Sequence, residues 1–229
     1  MVRDIRLAGL TPAAALVRAI ATETMLPIRV MVRENAGYGT DAAELVPMCR
    51  AAATFAEIGV DGLVVGFARE GQLLLRELRE VLQAAPSVPV TFHRAFDSLA
   101  DPLRAIDALS EIPQIDRILT DGMPARKGPA YDQRRPGLYA PAADRCAWLR
   151  EYSDRARSRL TIIAGGEVDD AMASEIALTR CVPEVHVGRA ARDGHDREAR
   201  VDAARVRRLR RMLDELPELA ELPELPKSP

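Results

Sequence analysis

The chain has 229 residues, 48% of them hydrophobic and 29% charged, a composition typical of a folded globular protein. Lys and Arg (32) nearly balance Asp and Glu (34), and aromatic residues make up only 4%, which excludes the basic surface or stacking platform of a nucleic-acid-binding protein. No stretch approaches the roughly 18 apolar residues of a membrane span, and the three cysteines form no CxxC pair. We therefore expect a cytoplasmic protein that binds neither nucleic acid nor membrane.

From residue 28 onward, short β-branched segments alternate with longer helical patterns. The predicted strands are 28–33, 61–66, 88–94, 116–120, 160–164 and 184–188, and 2–7 is a further candidate, although half of its residues are charged. The predicted helices start at Thr11-Pro12, Thr40, Asp101-Pro102 and Asp169 or Asp170, and a basic helix covers about 199–216. This alternation favours parallel strands joined by crossover helices, in either an open doubly wound sheet or a closed barrel.

Polar side chains recur on one face of several predicted strands, which separates the two architectures. In 28–33 the aliphatic set Ile28, Val30 and Val32 opposes Arg29, Met31 and Arg33; His93 and His186 stand on the polar face of later strands. A doubly wound sheet is dry on both faces, whereas the inside of a barrel opens to solvent at its mouth. We therefore predict an α/β fold of the TIM-type (β/α) barrel class with at most seven strands. Residues 1–216 would form one domain with an insertion at about 121–141, followed by a proline-rich tail, 217–229.

The carboxyl ends of barrel strands are where such enzymes keep their chemistry, and several candidates stand there. His93 could act as an acid–base group oriented by Asp97, because histidine titrates near neutrality and a carboxylate fixes its tautomer. Arginines and glycine turns at other strand ends suit a bound anion. The predicted anion-binding residues are Arg33, Arg94, Thr120, Gly165, Gly166, Gly188 and Arg189. Cys49, Cys146 and Cys181 are expected to take no part.

The segment Pro89–Asp97 (PVTFHRAFD) resembles the hallmark strand and turn of the CutC copper homeostasis proteins. Further matches, in the same order, are Gly9–Pro12, Arg29–Arg33, Gly59–Gly66, Asp116–Thr120, Gly165-Gly166 and Glu184–His186. The resemblance implies a TIM barrel that binds copper in the cytoplasm. The family's first strand–helix unit has no counterpart in the matched segments. Either the chain starts upstream of Met1, or the barrel closes in another way, for instance by association with another copy that would cover the exposed edges.

Copper is a soft ion that prefers sulfur and imidazole ligands. In the predicted barrel interior only Met31, His93 and His186 could converge on it, while the arginines and glycine turns suit a phosphate or carboxylate better. Three interpretations therefore stay open: a copper-binding protein of copper homeostasis, a barrel enzyme that uses His93 and Asp97 on a small phosphorylated or carboxylated metabolite, and an inactive barrel retained as a binding module. The ligand is accordingly expected to be a small molecule or a metal.

Overall fold

A computed structural model describes residues 1–3, 9–123, 140–157, 159–196 and 198–214. The helices are α1 Ala14–Glu23, α2 Ala42–Ile58, α3 Leu75–Ala84, α4 Pro102–Ser110, α5 Ala142–Ala156, α6 Asp170–Thr179 and α7 Ala203–Asp214. The strands are β1 Arg29–Met31, β2 Gly62–Val65, β3 Ala68–Arg69, β4 Gln72–Leu73, β5 Val90–Phe92, β6 Ile115–Thr120, β7 Thr161–Ala164 and β8 Glu184–Val185. Three short 3₁₀ segments cover Arg94–Ser98, Arg189–Ala191 and Asp193–His195.

Six strands form one curled parallel sheet in the order β1-β2-β5-β6-β7-β8. Five of these strands lie inside predicted strand segments, and β6 begins one residue earlier than predicted. A connection that contains a helix joins each strand to the next in this order. The prediction of a (β/α)-barrel type of fold is thereby confirmed, with six parallel strands among the described residues. No helix in these ranges is both long enough and apolar enough to cross a membrane.

The two faces of the sheet differ as the sequence predicts. Val30, Val32 and Phe92 are fully buried in the core between sheet and helices. On the other face Arg29 donates to Thr91 Oγ1 at 2.9 Å and to Asp116, so this face carries hydrogen-bonded charges. The neighbouring Arg117 pairs with Asp116 and Glu184, and the four charged side chains remain between 22% and 39% exposed.

A register shift in β6 changes the predicted orientation of Thr120. Val90 pairs with Ile115 and Thr91 with Arg117, so Asp116 is an extra residue and forms a β-bulge. Beyond the bulge, alternation puts Arg117 on the polar face and Thr120 on the same face as the buried Ile118. Thr120 is completely buried there and donates its hydroxyl proton to Asp97, and its part in anion binding stays a prediction.

A small antiparallel hairpin, β3–β4, follows β2 and was not predicted. Its turn consists of Glu70 and Gly71, both with positive φ, as a type I′ hairpin turn requires. The N–H of Ala68 donates to the Tyr38 carbonyl, and the Gly71 carbonyl accepts from Ala100 N–H at 2.8 Å. The hairpin thus connects the loop after β1 with the segment that follows β5.

Helix α1 begins later than its capping signal suggests. Thr11 does not cap it, because the Thr11 hydroxyl bonds the backbone N–H and carbonyl of Arg33, and the helix starts at Ala14 without a side-chain cap. Most of the predicted strand 2–7, most of the insertion 121–141 and the tail 217–229 lie outside the described residues. Near the start of the chain, Arg3 forms an antiparallel bridge with Leu10.

Candidate functional site

His93 follows β5 directly, and the backbone next to it fixes its ring. Its Nδ1 accepts the Ala95 N–H at 3.1 Å, which caps the 3₁₀ segment 94–98. The proton of the neutral imidazole must therefore lie on Nε2, which is buried without a hydrogen-bond partner among the described residues. Burial, reinforced by the nearby Arg33, lowers the pKa of His93 to about 3. His93 is consequently neutral at physiological pH.

Asp97 does not orient His93, so that predicted pairing is wrong. Its Oδ1 accepts from the Thr120 hydroxyl at 2.6 Å and from Asp121 N–H at 3.2 Å, while its Oδ2 accepts from Arg94 Nε at 2.7 Å. Arg94 also donates to Asp121 Oδ2 at 2.6 Å. Two buried carboxylates thus share one guanidinium at the carboxyl ends of β5 and β6, in what we call the Arg94 cluster (Arg94, Asp97, Thr120 and Asp121).

The Arg94 cluster has one positive charge for two carboxyl groups in a site with little solvent. Burial, reinforced by the neighbouring Asp121, raises the pKa of Asp97 to about 7, and Arg94 and Thr120 oppose this shift. A carboxyl group that titrates near neutrality can both take and give a proton at physiological pH. The side chain of Arg94 is 22% exposed and is the cluster's contact with solvent.

The glycine turn after β7 is held by an arginine of α5. Arg145 is buried and donates to the carbonyls of Asp121 (2.7 Å), Gly165 (2.9 Å) and Gly166 (2.7 Å). The N–H of Gly165 is used in the sheet, where it donates to the Thr120 carbonyl at 2.8 Å. The prediction that this N–H faces an anion is therefore wrong. Gly166 has a positive φ and packs against Arg94 and Asp121.

Two of the other predicted anion-binding residues, Arg33 and Arg189, are engaged with the protein. Arg33 is buried, donates to the carbonyls of Ala36 and Gly37, and lies 5.1 Å from the centre of the Tyr38 ring. The Tyr38 ring in turn lies 5.6 Å from that of His93. After β8, Arg189 pairs with Glu167, and both remain partly exposed. A Cβ on Gly188 would meet no other atom within 4 Å, so the backbone there is open.

The residues predicted to bind copper do not form one ligand set. His93 offers no lone pair, because Nδ1 is bonded to Ala95 and Nε2 carries the proton. His186 lies beside Gly165, and its side chain is accessible to solvent. The surrounding protein nevertheless removes enough water from the imidazole to lower its pKa. Met31 shares the polar face of β1 with Arg29. Within the described ranges no three His, Cys, Asp or Glu side chains are grouped as metal ligands.

Sequence reasoning placed Asp121 at a strand end but assigned it no role, and it missed Arg145 and Tyr38 as parts of this site. Arg145 carried no signal, because it lies in a helix of the outer layer and reaches the strand ends through its long side chain. Tyr38 stands in the loop after β1, where no local pattern indicates that its ring would pack between Arg33 and His93.

Comparison with known proteins gives one consistent result. The model of the CutC family matches residues 2–191. A CutC family protein of Treponema denticola is 31% identical over 182 residues, which span 79% of this chain and 68% of that protein. One from Xanthomonas axonopodis pv. citri is 37% identical over 116 residues, or 50% of this chain and 48% of that protein. The chain thus covers about half the length of the second relative.

Two solved structures share the fold. The copper homeostasis protein CutC from Streptococcus agalactiae superposes with a TM-score of 0.68 at 22% identity, covering 81% of this chain and 85% of that one. An aldolase, QR15, superposes with a TM-score of 0.50 at 15% identity, covering 75% of this chain and 73% of that one. At these identities the likeness extends to the curled parallel sheet and its helices.

Proposed function

Because the chain belongs to the CutC family, we propose that it acts in copper homeostasis by binding copper as its cargo in the cytoplasm. The observation that carries this proposal is the family match over residues 2–191. The Streptococcus agalactiae neighbour, which is named for copper homeostasis, supports it at the level of the fold. Inside a cell that keeps thiols reduced, the relevant ion is Cu(I), which prefers thiolate, thioether and imidazole ligands.

The residues at the barrel mouth limit where copper could bind. His93 is unsuitable, because a metal at Nε2 would force its proton onto Nδ1 and break the bond to Ala95. Met31 and His186 are left on the polar face, and two such ligands without a thiolate make a modest Cu(I) site. The proposal therefore does not depend on the mouth.

A competition titration tests this function directly. The intact, reduced chain is titrated without oxygen into the Cu(I) complex of a coloured chelator, and the loss of colour reports the copper transferred. We expect about one equivalent to move to the protein. An unchanged chelator spectrum with excess protein would overturn the proposal. A His93→Gln variant is the matched control, and its binding should equal that of the natural chain.

A second candidate function is acid–base catalysis on a small phosphorylated or carboxylated metabolite at the barrel mouth. The Arg94 cluster favours it, because Asp97 titrates near neutrality beside a partly exposed guanidinium at the carboxyl ends of β5 and β6. His93, being neutral and bonded to the backbone, would serve only as a hydrogen-bond donor through Nε2. Arg94, rather than Arg33, is the residue best placed to contact an anionic ligand.

Thermal unfolding in the presence of sugar phosphates and organic acids tests the second candidate. A ligand that binds only the folded protein raises the midpoint further as its concentration increases. We expect an Arg94→Lys variant to lose this shift, since a lysine cannot hold two carboxylates and a ligand in the fork geometry of arginine. If no compound in the panel raises the midpoint, this candidate is abandoned.

A further inference from the structure

The last helix that the structure describes, α7, carries exposed arginines. The helix contains five arginines and one aspartate, and Leu209 is its buried residue. Three of the arginines have an acidic partner, in the pairs Arg205–Asp202, Arg208–Asp170 and Arg210–Asp214. Arg207 and Arg211 are exposed and have no acidic partner among the described residues. We call these two residues the arginine row.

The arginine row stands on the side of α7 that faces away from the protein. Successive residues of an α-helix turn by about 100° around its axis, which puts Arg207 and Arg211 opposite the buried Leu209. Being four positions apart, the two residues share one face and are separated by about 6 Å along the axis. Like charges at this spacing destabilise a helix. A neighbouring group of negative charge would therefore stabilise this part of α7.

Beside the arginine row, α7 also exposes an apolar strip. Ala203 and Val206 are three positions apart and both exposed, so they lie on one face next to the row. Val206 keeps 42% of its surface accessible, which is high for an aliphatic side chain. A partner that fits this surface would carry negative charges and aliphatic side chains in two neighbouring columns.

The sequence that follows α7 has this composition and a regular period. Residues 215–226 read ELP, ELA, ELP and ELP, so a glutamate and a leucine recur at every third position. A polyproline II helix has three residues per turn and rises about 3.1 Å per residue, and proline-rich segments favour it. In that conformation the four glutamates form one column and the four leucines another, each with a spacing of about 9 Å. We call residues 215–226 the acidic segment.

We propose that the acidic segment folds back along α7 as a polyproline II helix and docks on the exposed face of α7. Its glutamates pair with Arg207 and Arg211, and its leucines cover Ala203 and Val206. Docking would relieve the repulsion within the arginine row and remove the exposed valine from water. While the segment is docked, the row is closed to other anionic partners.

The position and length of the acidic segment favour it over a separate partner. It begins directly after Asp214, the last residue of α7, so its concentration near the helix is always high. Its twelve residues span about 37 Å when extended as polyproline II, whereas α7 is about 18 Å long. The arginine row lies only about 4 to 11 Å from the end of the helix. The segment is therefore long enough to turn and to run past both arginines.

The charges of the two parts are complementary. The acidic segment has four glutamates and no basic residue, whereas α7 has five arginines and one aspartate. A single exposed ion pair contributes little, so docking depends on several pairs acting together with the apolar contact. Because salt screens exposed charges, high ionic strength should release the segment.

Backbone ¹⁵N relaxation of the full chain tests the proposal without any variant. The amides of Glu and Leu in the acidic segment report its order, and the order parameter is about 0.85 for a rigid backbone and below about 0.6 for a flexible one. We expect values near those of α7 in dilute buffer and a fall below about 0.6 at high salt. Flexible values in dilute buffer would overturn the proposal. Order that appears only at high protein concentration would assign the surface to the segment of a second copy and would also overturn it.

Charge reversal identifies the surface on which the segment docks. Arg207→Glu with Arg211→Glu should make the segment flexible. Adding lysines at the glutamate column should restore its order, through the substitutions Glu218→Lys, Glu221→Lys and Glu224→Lys. The matched control reverses two exposed arginines of other helices, Arg50 of α2 and Arg79 of α3, and should leave the segment ordered. Circular dichroism establishes that each variant is folded, and an ordered segment in the variant without the arginine row would refute docking on α7.

Discussion

Replacing Arg145 by methionine should destabilise the protein strongly, although this residue lies in an outer helix. The substitution keeps an unbranched apolar stem but not the guanidinium, and so removes three hydrogen bonds of 2.7–2.9 Å to the carbonyls of the loops after β6 and β7. A buried hydrogen bond contributes about 1 kcal/mol net, and more when the donor is charged. We therefore expect a loss of roughly 3 kcal/mol, a large part of the 5–15 kcal/mol typical of a domain.

Urea unfolding followed by circular dichroism measures this loss. With a typical urea dependence of about 2–3 kcal/mol per molar for a chain of this size, the midpoint should fall by roughly 1–1.5 M. The matched control is Arg155→Met in the same helix, where an exposed guanidinium pairs with the exposed Asp107. Its midpoint should stay close to that of the natural chain. Equal midpoints for the two variants would refute the assignment of Arg145 as the residue that holds these loops.

Two further predictions concern the Arg94 cluster. The pKa of Asp97 is about 7 in the folded protein, against an ordinary 3.8, so between these values the folded chain holds a proton that the unfolded chain releases. The contribution of Asp97 to the free energy of unfolding is therefore full at acidic pH and is lost as the pH rises from about 4 to 7. Asp97→Asn should remove this fall from a plot of urea midpoint against pH; a curve parallel to that of the natural chain would contradict the shift. Gly166→Ala should cost about 2 kcal/mol or more, since φ is +65° and the new Cβ would lie 2.8 Å from Asp121 Cβ. Gly188→Ala, which meets no neighbour and has φ −111°, should leave the thermal midpoint unchanged; similar midpoints for the two alanine variants would count against the steric explanation.

The strands could be predicted from the sequence because each is specified locally. Segments such as 61–66 and 88–94 combine β-branched residues with bounding Gly, Pro or Asp, and the alternation of Val30 and Val32 with Arg29 and Met31 indicates which face is buried. Two features of the fold could not be predicted from such local patterns. The bulge at Asp116 adds one residue to β6 and shifts the alternation, and the turn at Glu70-Gly71 lacks the Asn-Gly or Asp-Gly signal of a hairpin.

The sequence predicted where the residues of the candidate site lie but not which groups they hydrogen-bond. The sequence placed His93, Arg94 and Asp97 correctly at a strand end. Their hydrogen bonds, however, join residues more than twenty positions apart, or use the backbone, as in the bond between His93 Nδ1 and the Ala95 N–H.

The β3–β4 hairpin has a mechanical consequence for the barrel mouth. It bonds at one end to the Tyr38 carbonyl and, through Arg69, to the Thr40 carbonyl, while at its turn it accepts from Ala100. The loops that follow β1 and β5 therefore cannot open independently, and amide exchange should report them as one cooperative unit.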